Sequence, residues 1–231
     1  MPRTKQSHGL FITGTDTGVG KTYVGSRLAR RLTALGVTVT PRKPVESGCE
    51  RHAGLLEPAD ARSYWHAVAA RVPLDEICRY RLATPASPER AAALEGMDLS
   101  LTALVAAATE GAEGWRLVEG AGGFYSPIAN GALNADLAVA LELPVLLVVG
   151  DRLGCINHAL LTLEAIARRG LLVSAVVLNP LDEAACAVLD NAQALSQRLT
   201  CPLVRSRFDA ADPASSWIDE LIGYLPIGKT R

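Results

Sequence analysis

An excess of charge of either sign is missing from this sequence. Its 231 residues carry 23 Lys+Arg against 24 Asp+Glu, a formal net charge of −1. A polyanion binder gathers phosphates with a basic excess, so no general affinity for nucleic acid or for an anionic membrane surface is expected. Any anion it binds must be held by a local device. Long apolar runs are missing too: the longest, Leu143 to Val149, falls far short of the ~20 residues that span a bilayer. The five cysteines (Cys49, Cys78, Cys155, Cys186, Cys201) are odd in number, widely spaced and without a CxxC pair. That pattern suits neither a disulfide framework nor a zinc site and predicts reduced thiols. The first nine residues carry charge with no apolar stretch behind them, so they read as no secretory signal, and residues 1–8 as a flexible N-terminus. A cytoplasmic location is expected.

What is present is apolar mass. The chain is 49% hydrophobic, enough to offset the ordering entropy that keeps polar chains disordered. A chain of this length buries on the order of 70% of its unfolded surface. The patterning alternates strands and helices. Leu10–Thr13 reads as a buried strand. Lys21–Leu35 reads as a helix, with Val24, Leu28, Leu32 and Leu35 at helical spacing and Gly36 as its stop. Val37–Val39 is a β-branched strand ended by Pro41 and Pro44, and 46–58 reads as loop. Ala59–Arg71, Pro88–Gly96 and Leu99–Thr109 read as helices. Leu117–Val118 and Pro144–Val149 read as strands, His158–Arg169 as a helix, Ser174–Leu178 as a strand, Asp182–Leu199 as a helix and Pro202–Val204 as a short strand. This rhythm predicts right-handed βαβ units: one α/β domain over residues 1–231, a doubly wound, mostly parallel sheet with helices on both faces. Ligands then collect beyond the carboxyl ends of the strands.

The first such end carries Gly14-Thr-Asp-Thr-Gly-Val-Gly20-Lys21-Thr22. Between a strand and a helix, this is the setting of a phosphate loop, in which backbone N–H groups and a helix N-terminus cradle phosphate oxygens. Lys21 would reach the β/γ-phosphates and the Thr22 hydroxyl a Mg²⁺ ion. The strict G-x4-G-K-[ST] pattern is not met, because Thr15 stands at the first glycine position. Lys43 ends the second strand ahead of Pro44. Glu119 precedes Gly120-Ala-Gly-Gly123, where a carboxylate would face the phosphate loop. Leu153-Gly-Cys-Ile-Asn-His158 leads into a helix and offers a second anion site. By themselves, Lys43 reads as a solvated surface lysine, Asp60 as an N-terminal helix charge and Asn179 as a turn former.

The segments Gly14–Thr22, Lys43-Pro-Val-Glu-Ser-Gly48, Val118-Glu-Gly-Ala-Gly-Gly123 and Leu153–His158, in this order, resemble the dethiobiotin synthase family, a phosphate-loop fold. The resemblance implies a ligase that uses ATP, or another nucleoside triphosphate, with Mg²⁺, CO₂ and 7,8-diaminononanoate to close a cyclic urea. For such an aliphatic substrate the low aromatic content (5%) is no handicap. It also implies roles. Lys21 and Lys43 would be catalytic. Thr17, Gly18, Val19, Gly20, Lys21, Thr22, Asp60, Glu119, Gly122 and Asn179 would bind the nucleotide, with Thr22, Asp60 and Glu119 on the metal. Ser47 would contact the substrate. Gly154, Cys155, Ile156 and Asn157 would receive its carboxylate tail across a homodimer interface.

Cys155 and His158 are not read as a catalytic pair, since the chemistry has no place for a thiol nucleophile and no orienting carboxylate is supplied; His158 reads as a capping or packing residue. Three positions depart from the family pattern. Gly18 stands where some members have glutamate, Glu46 where small or polar residues also occur, and Arg205-Ser-Arg-Phe208 where an Ile-Pro segment contacts the base. Other classes remain: a switch ATPase of the partition or septum-positioning kind, and a non-catalytic regulatory homologue. The first is disfavoured by Thr15, Asp16 and Thr17, where such proteins carry a second lysine.

Overall fold

A computed structural model describes residues 9–181, 189–207 and 216–227. Six parallel strands form the central sheet in the order β12-β11-β10-β1-β7-β2. The inner strands β1 (Gly9–Gly14), β7 (Trp115–Gly123), β10 (Val145–Asp151) and β11 (Val173–Pro180) are almost wholly buried. β2 (Val39–Arg42) and β12 (Leu203–Arg205) are the edges.

Side chains alternate across the sheet, as the period of two requires. Leu10, Ile12, Leu117, Leu146, Val148 and Val177 point to one face. There they meet α1 (Lys21–Ala34), α2 (Ala59–Ala67), α3 (Leu74–Ile77) and α9 (Ser216–Gly223). Phe11, Val118, Leu147, Val149, Val176 and Leu178 point to the other, against α4 (Pro88–Leu94), α5 (Leu101–Thr109), α6 (Asn134–Leu141), α7 (Cys155–Arg168) and α8 (Asn191–Ser196). The doubly wound α/β sheet with helices on both faces is therefore the fold, and its two apolar layers take up much of the hydrophobic composition.

The structure corrects several boundaries. Residues 46–58 are not plain loop: they carry β3 (Val45–Ser47), which pairs with β6 (Tyr80–Leu82), and a hairpin of β4 (Glu50–His52) and β5 (Leu55–Glu57). Pro41 does not end the second strand but lies inside it, which an edge strand tolerates because one side of its backbone needs no ladder partner. β7 runs on through the glycines to Gly123, and Asn134 underpins this extension, accepting from the Ala121 N–H (3.0 Å) and donating to Gly123 O (3.1 Å). A small antiparallel pair, β8 (Pro127–Ala129) and β9 (Ala132–Leu133), separates that strand from α6. α7 begins at Cys155, three residues before the expected start, with Gly154 as its N-cap. Residues 1–8, Cys186, Phe208 and the first half of the helix expected over Asp182–Leu199 lie outside the described residues. The other four cysteines are free thiols.

Candidate active site

β1 ends at Gly14, and residues 15–20 turn into α1 with Gly20 as the N-cap at φ 94°. This left-handed backbone favours glycine, and a side chain there would also run into the Asn179 amide. Asn179 ends up behind the loop. Its Nδ2 donates to Val19 O (3.0 Å) and its Oδ1 accepts from the Ser206 hydroxyl (2.6 Å). Both halves of this amide are thus committed within the chain, and the side chain is 2% exposed. Val19 is a core residue, so it serves the loop through its backbone. Lys21 Nζ donates to Asp16 O (2.9 Å). Burial, assisted by Lys43 and opposed by Glu119, lowers the Lys21 pKa to about 8.

Opposite the loop stands a buried polar cluster. Glu119, in mid-β7 and 1% exposed, accepts at Oε1 from Lys43 Nζ (2.5 Å) and Thr22 Oγ1 (3.0 Å), and at Oε2 from the Tyr64 hydroxyl (2.6 Å). Lys43 follows the last residue of β2. Its Nζ also reaches Asp60 Oδ2 (2.9 Å) and Gly120 O (3.2 Å). Burial pulls the Lys43 pKa down, but Glu119 and Asp60 outweigh it and hold the ammonium above the ordinary lysine value. The same balance holds Asp60 low: burial raises its carboxyl and Lys43 more than reverses that. This ammonium stays charged through the neutral range, so Lys43 is a fixed positive charge rather than a proton donor.

Asp60 lies in the first turn of α2, whose N-cap, Pro58, offers no side-chain cap. Glu46 supplies one from β3. Its two oxygens accept from the N–H groups of Asp60 (2.9 Å) and Ala61 (3.1 Å). Burial and the nearby Asp60 charge push the Glu46 carboxyl up.

These groups line one cleft of about 720 Å³, which brings together Thr17, Gly18, Gly20, Lys21, Thr22, Lys43, Ser47, Asp60, Glu119 and Gly122. Pro85–Pro88 and Ser126 complete its walls, and the Ser47 hydroxyl donates to Ala86 O (2.6 Å). The cleft does not gather Gly154, Cys155, Ile156 and Asn157, which form the N-cap and first turn of α7. Gly154 and Asn157 are exposed, Ile156 is half-buried, and the Cys155 thiol is buried, which raises its pKa. His158 is exposed and so is not a packing residue.

Sequence reasoning missed Tyr64 and Asn134. An aromatic at helical spacing reads as core, and an asparagine after a turn reads as turn chemistry; only the tertiary contact distinguishes them. Glu46 stood out as a departure from the pattern, but its capping role did not show. Among the described residues no group of three or more His, Cys, Asp or Glu could by itself hold a metal. A metal here would lean on ligand oxygens as well as on the chain.

Residues 8–206 match the family model described as an AAA domain. An ATP-dependent dethiobiotin synthetase BioD of Ruthia magnifica subsp. Calyptogena magnifica is 43% identical over 189 residues, 82% of this chain and 86% of that protein. The protein of the same name from Aromatoleum aromaticum is 42% identical over 209 residues, 88% of this chain and 92% of its own length. Among solved structures, the MinC:MinD cell division protein complex of Aquifex aeolicus aligns with a TM-score of 0.51 at 14% identity, over 95% of this chain and 87% of that one, a likeness of fold alone. The cleft geometry and these relatives lead to one conclusion: the chain belongs to the ATP-dependent dethiobiotin synthetase family.

Proposed function

We propose that this protein is an ATP-dependent dethiobiotin synthetase, joining CO₂ to 7,8-diaminononanoate and closing the cyclic urea with release of ADP and phosphate. The observation that carries the reading is the Lys43 ammonium, buried between Glu119 and Asp60 beside the phosphate loop. One amine of the substrate captures CO₂ as a carbamate. The carbamate oxygen attacks the γ-phosphorus and ADP leaves. The second amine then attacks the carbonyl of the mixed anhydride, phosphate departs, and the ring closes. Little covalent work falls to the protein; positioning and charge stabilisation dominate, as in other phosphoryl transfers.

Lys21 and the amides of Thr17 to Thr22 hold the phosphates, with Asn179 bracing the loop through Val19. Lys43 faces the carbamate and the transferring phosphoryl group, where a fixed positive charge stabilises the developing negative one. Ser47 and Gly122 flank the substrate. Thr22, Asp60 and Glu119 offer a hydroxyl and two carboxylates, the hard oxygen donors that Mg²⁺ takes together with phosphate oxygens. Bound there, the ion would neutralise charge on the β- and γ-phosphates.

The carboxylate tail is assigned to Gly154–Asn157 of a second copy, which makes the working form a homodimer. Supporting this are the exposed apolar side chains Leu153 and Leu161 on and beside that turn, 83% and 58% exposed. No described helix is long and apolar enough to cross a membrane.

The test is incubation of the purified protein with diaminononanoate, bicarbonate, Mg²⁺ and each nucleoside triphosphate, with mass spectrometry for dethiobiotin. Absence of product with every nucleotide would refute the reading.

A further inference from the structure

Tyr64 sits one turn after Asp60 on α2, so the two side chains leave the same helix face. Asp60 reaches the cleft. Tyr64 points beneath it, fully buried, and donates to Glu119 Oε2 at 2.6 Å. The two oxygens of Glu119 are thereby divided. Oε1 faces Thr22 and Lys43 on the cleft side, while Oε2 is held from behind by the phenol.

The packing around that hydroxyl is built for it. A methyl group at Gly25, in the second turn of α1, would collide with the Tyr64 oxygen and lie 2.8 Å from its ring carbon Cζ. Glycine is a poor residue for a helix interior, so α1 gives up helix propensity where the phenol comes in. A phenylalanine would pack against the same apolar neighbours; what the hydroxyl adds is a donor to the inner oxygen of a carboxylate that is 1% exposed.

We propose that Tyr64 is a positioning residue for the ligase reaction, fixing the plane and rotamer of Glu119 so that Oε1 is presented to the metal and to Lys43. For its activity readout the proposal rests on the synthetase reading above. Partners that orient metal-ligating carboxylates are worth about 10–100-fold in metal affinity or activity, and that is the effect Tyr64→Phe should show.

The experiment compares native protein, Tyr64→Phe, Glu119→Gln and the double variant. Calorimetry measures binding of a non-hydrolysable ATP analogue with Mg²⁺ and with EDTA. Steady-state kinetics and thermal melting are run on the same samples. For Tyr64→Phe, the Mg²⁺-dependent gain in nucleotide affinity and kcat should each fall about tenfold. Binding in EDTA and the KM for the diamine should stay within about twofold, with melting near native. In the Glu119→Gln background the same substitution should cost nothing more, because the group it acts through is gone.

A Mg²⁺ gain and kcat within twofold of native would overturn the proposal. So would an equal loss in the Glu119→Gln background, or loss of the fold, since each makes Tyr64 a packing residue. If native protein forms no dethiobiotin, the synthetase reading fails, while the calorimetric comparison still judges Tyr64.

Discussion

The acidic end of the cleft and the first turn of α7 are both assigned to charged parts of the reactants, yet they are built in opposite ways. In the cleft, Lys43, Glu119, Asp60, Tyr64 and Glu46 hold one another through bonds of 2.5–3.1 Å. The constellation is complete inside one chain. At α7, of the residues assigned to the substrate tail, Gly154 and Asn157 are open to solvent, next to an 83% exposed leucine, while Ile156 is half-buried and Cys155 buried. A prebuilt electrostatic site saves reorganisation when charge develops. An open helix terminus gains strength as an anion site only when something excludes water from it. The contrast teaches that a single chain already assembles the polar cluster proposed for phosphoryl transfer, whereas the proposed tail site is an open helix terminus that gains strength only if a second copy covers it.

That contrast can be broken from either side. The largest effect is expected at Lys43: Lys43→Ala should lower kcat by about 10²–10³-fold, the usual cost of one preorganised charge donor, with nucleotide affinity changed only a few-fold. Near-normal turnover would show that the cluster is structural. On the α7 side, if the proposed dimer forms, Leu161→Asp should dissociate it in sedimentation velocity and raise the KM for the diamine about tenfold, a loss of about 1.4 kcal/mol. Nucleotide binding should be untouched. A variant that stays dimeric, or a monomer with unchanged KM, would dissolve the distinction between the two regions. Glu46→Ala, back in the cluster, removes the cap of α2 and should cost about 1 kcal/mol of stability, read as a lower melting temperature and weaker Mg²⁺ dependence. An unchanged melting temperature would mean that α2 is held in place without the cap.

The smallest effect sharpens the comparison by lying outside both regions. Asp136 accepts from the Leu133 N–H (2.8 Å) at the start of α6 and pairs with Arg169 (2.6 Å). The hydrogen bond from Leu133, with help from Arg169, holds its carboxyl below the ordinary 3.8. A carboxyl depressed by folding stabilises the protein above its unfolded pKa, and that contribution is lost as pH falls through the lower, folded value. Asp136→Ala should therefore lower stability by about 0.5 kcal/mol at pH 7, the lower end for a lost helix-start hydrogen bond at a solvent-screened site. The gap should close on acidification below the ordinary carboxyl range. A gap that persists in acid would point to lost packing instead.

Much of this was legible in the linear chain. Gly20-Lys21-Thr22 after an apolar strand implied a phosphate loop, and the structure puts Lys21 and Thr22 at the start of α1 on the cleft wall. The continuous apolar run at Pro144–Val149 implied a strand covered on both sides, and β10 is buried along its whole length. These are local signals: periodicity, glycine placement and a lysine at a helix start. The hairpin at 50–57 escaped because its strands, Glu-Arg-His and Leu-Leu-Glu, are three residues each, too short to show an apolar alternation. Lys43 alone looked like a surface lysine, because burial of a charge shows only once its partners, 17 and 76 residues away, are beside it.

The sequence by itself determined the two-faced parallel sheet and the phosphate loop, because side-chain alternation and turn chemistry act between near neighbours. It also left no general electrostatic attraction for a polyanion, since net charge is a sum over composition. Only the tertiary structure decided that Glu46 caps α2, that Asn134 braces β7, and that Tyr64 and Glu119 meet. Those contacts join residues 11 to 55 positions apart, and a buried hydrogen bond has no trace in sequence until packing removes the water that would otherwise compete for it.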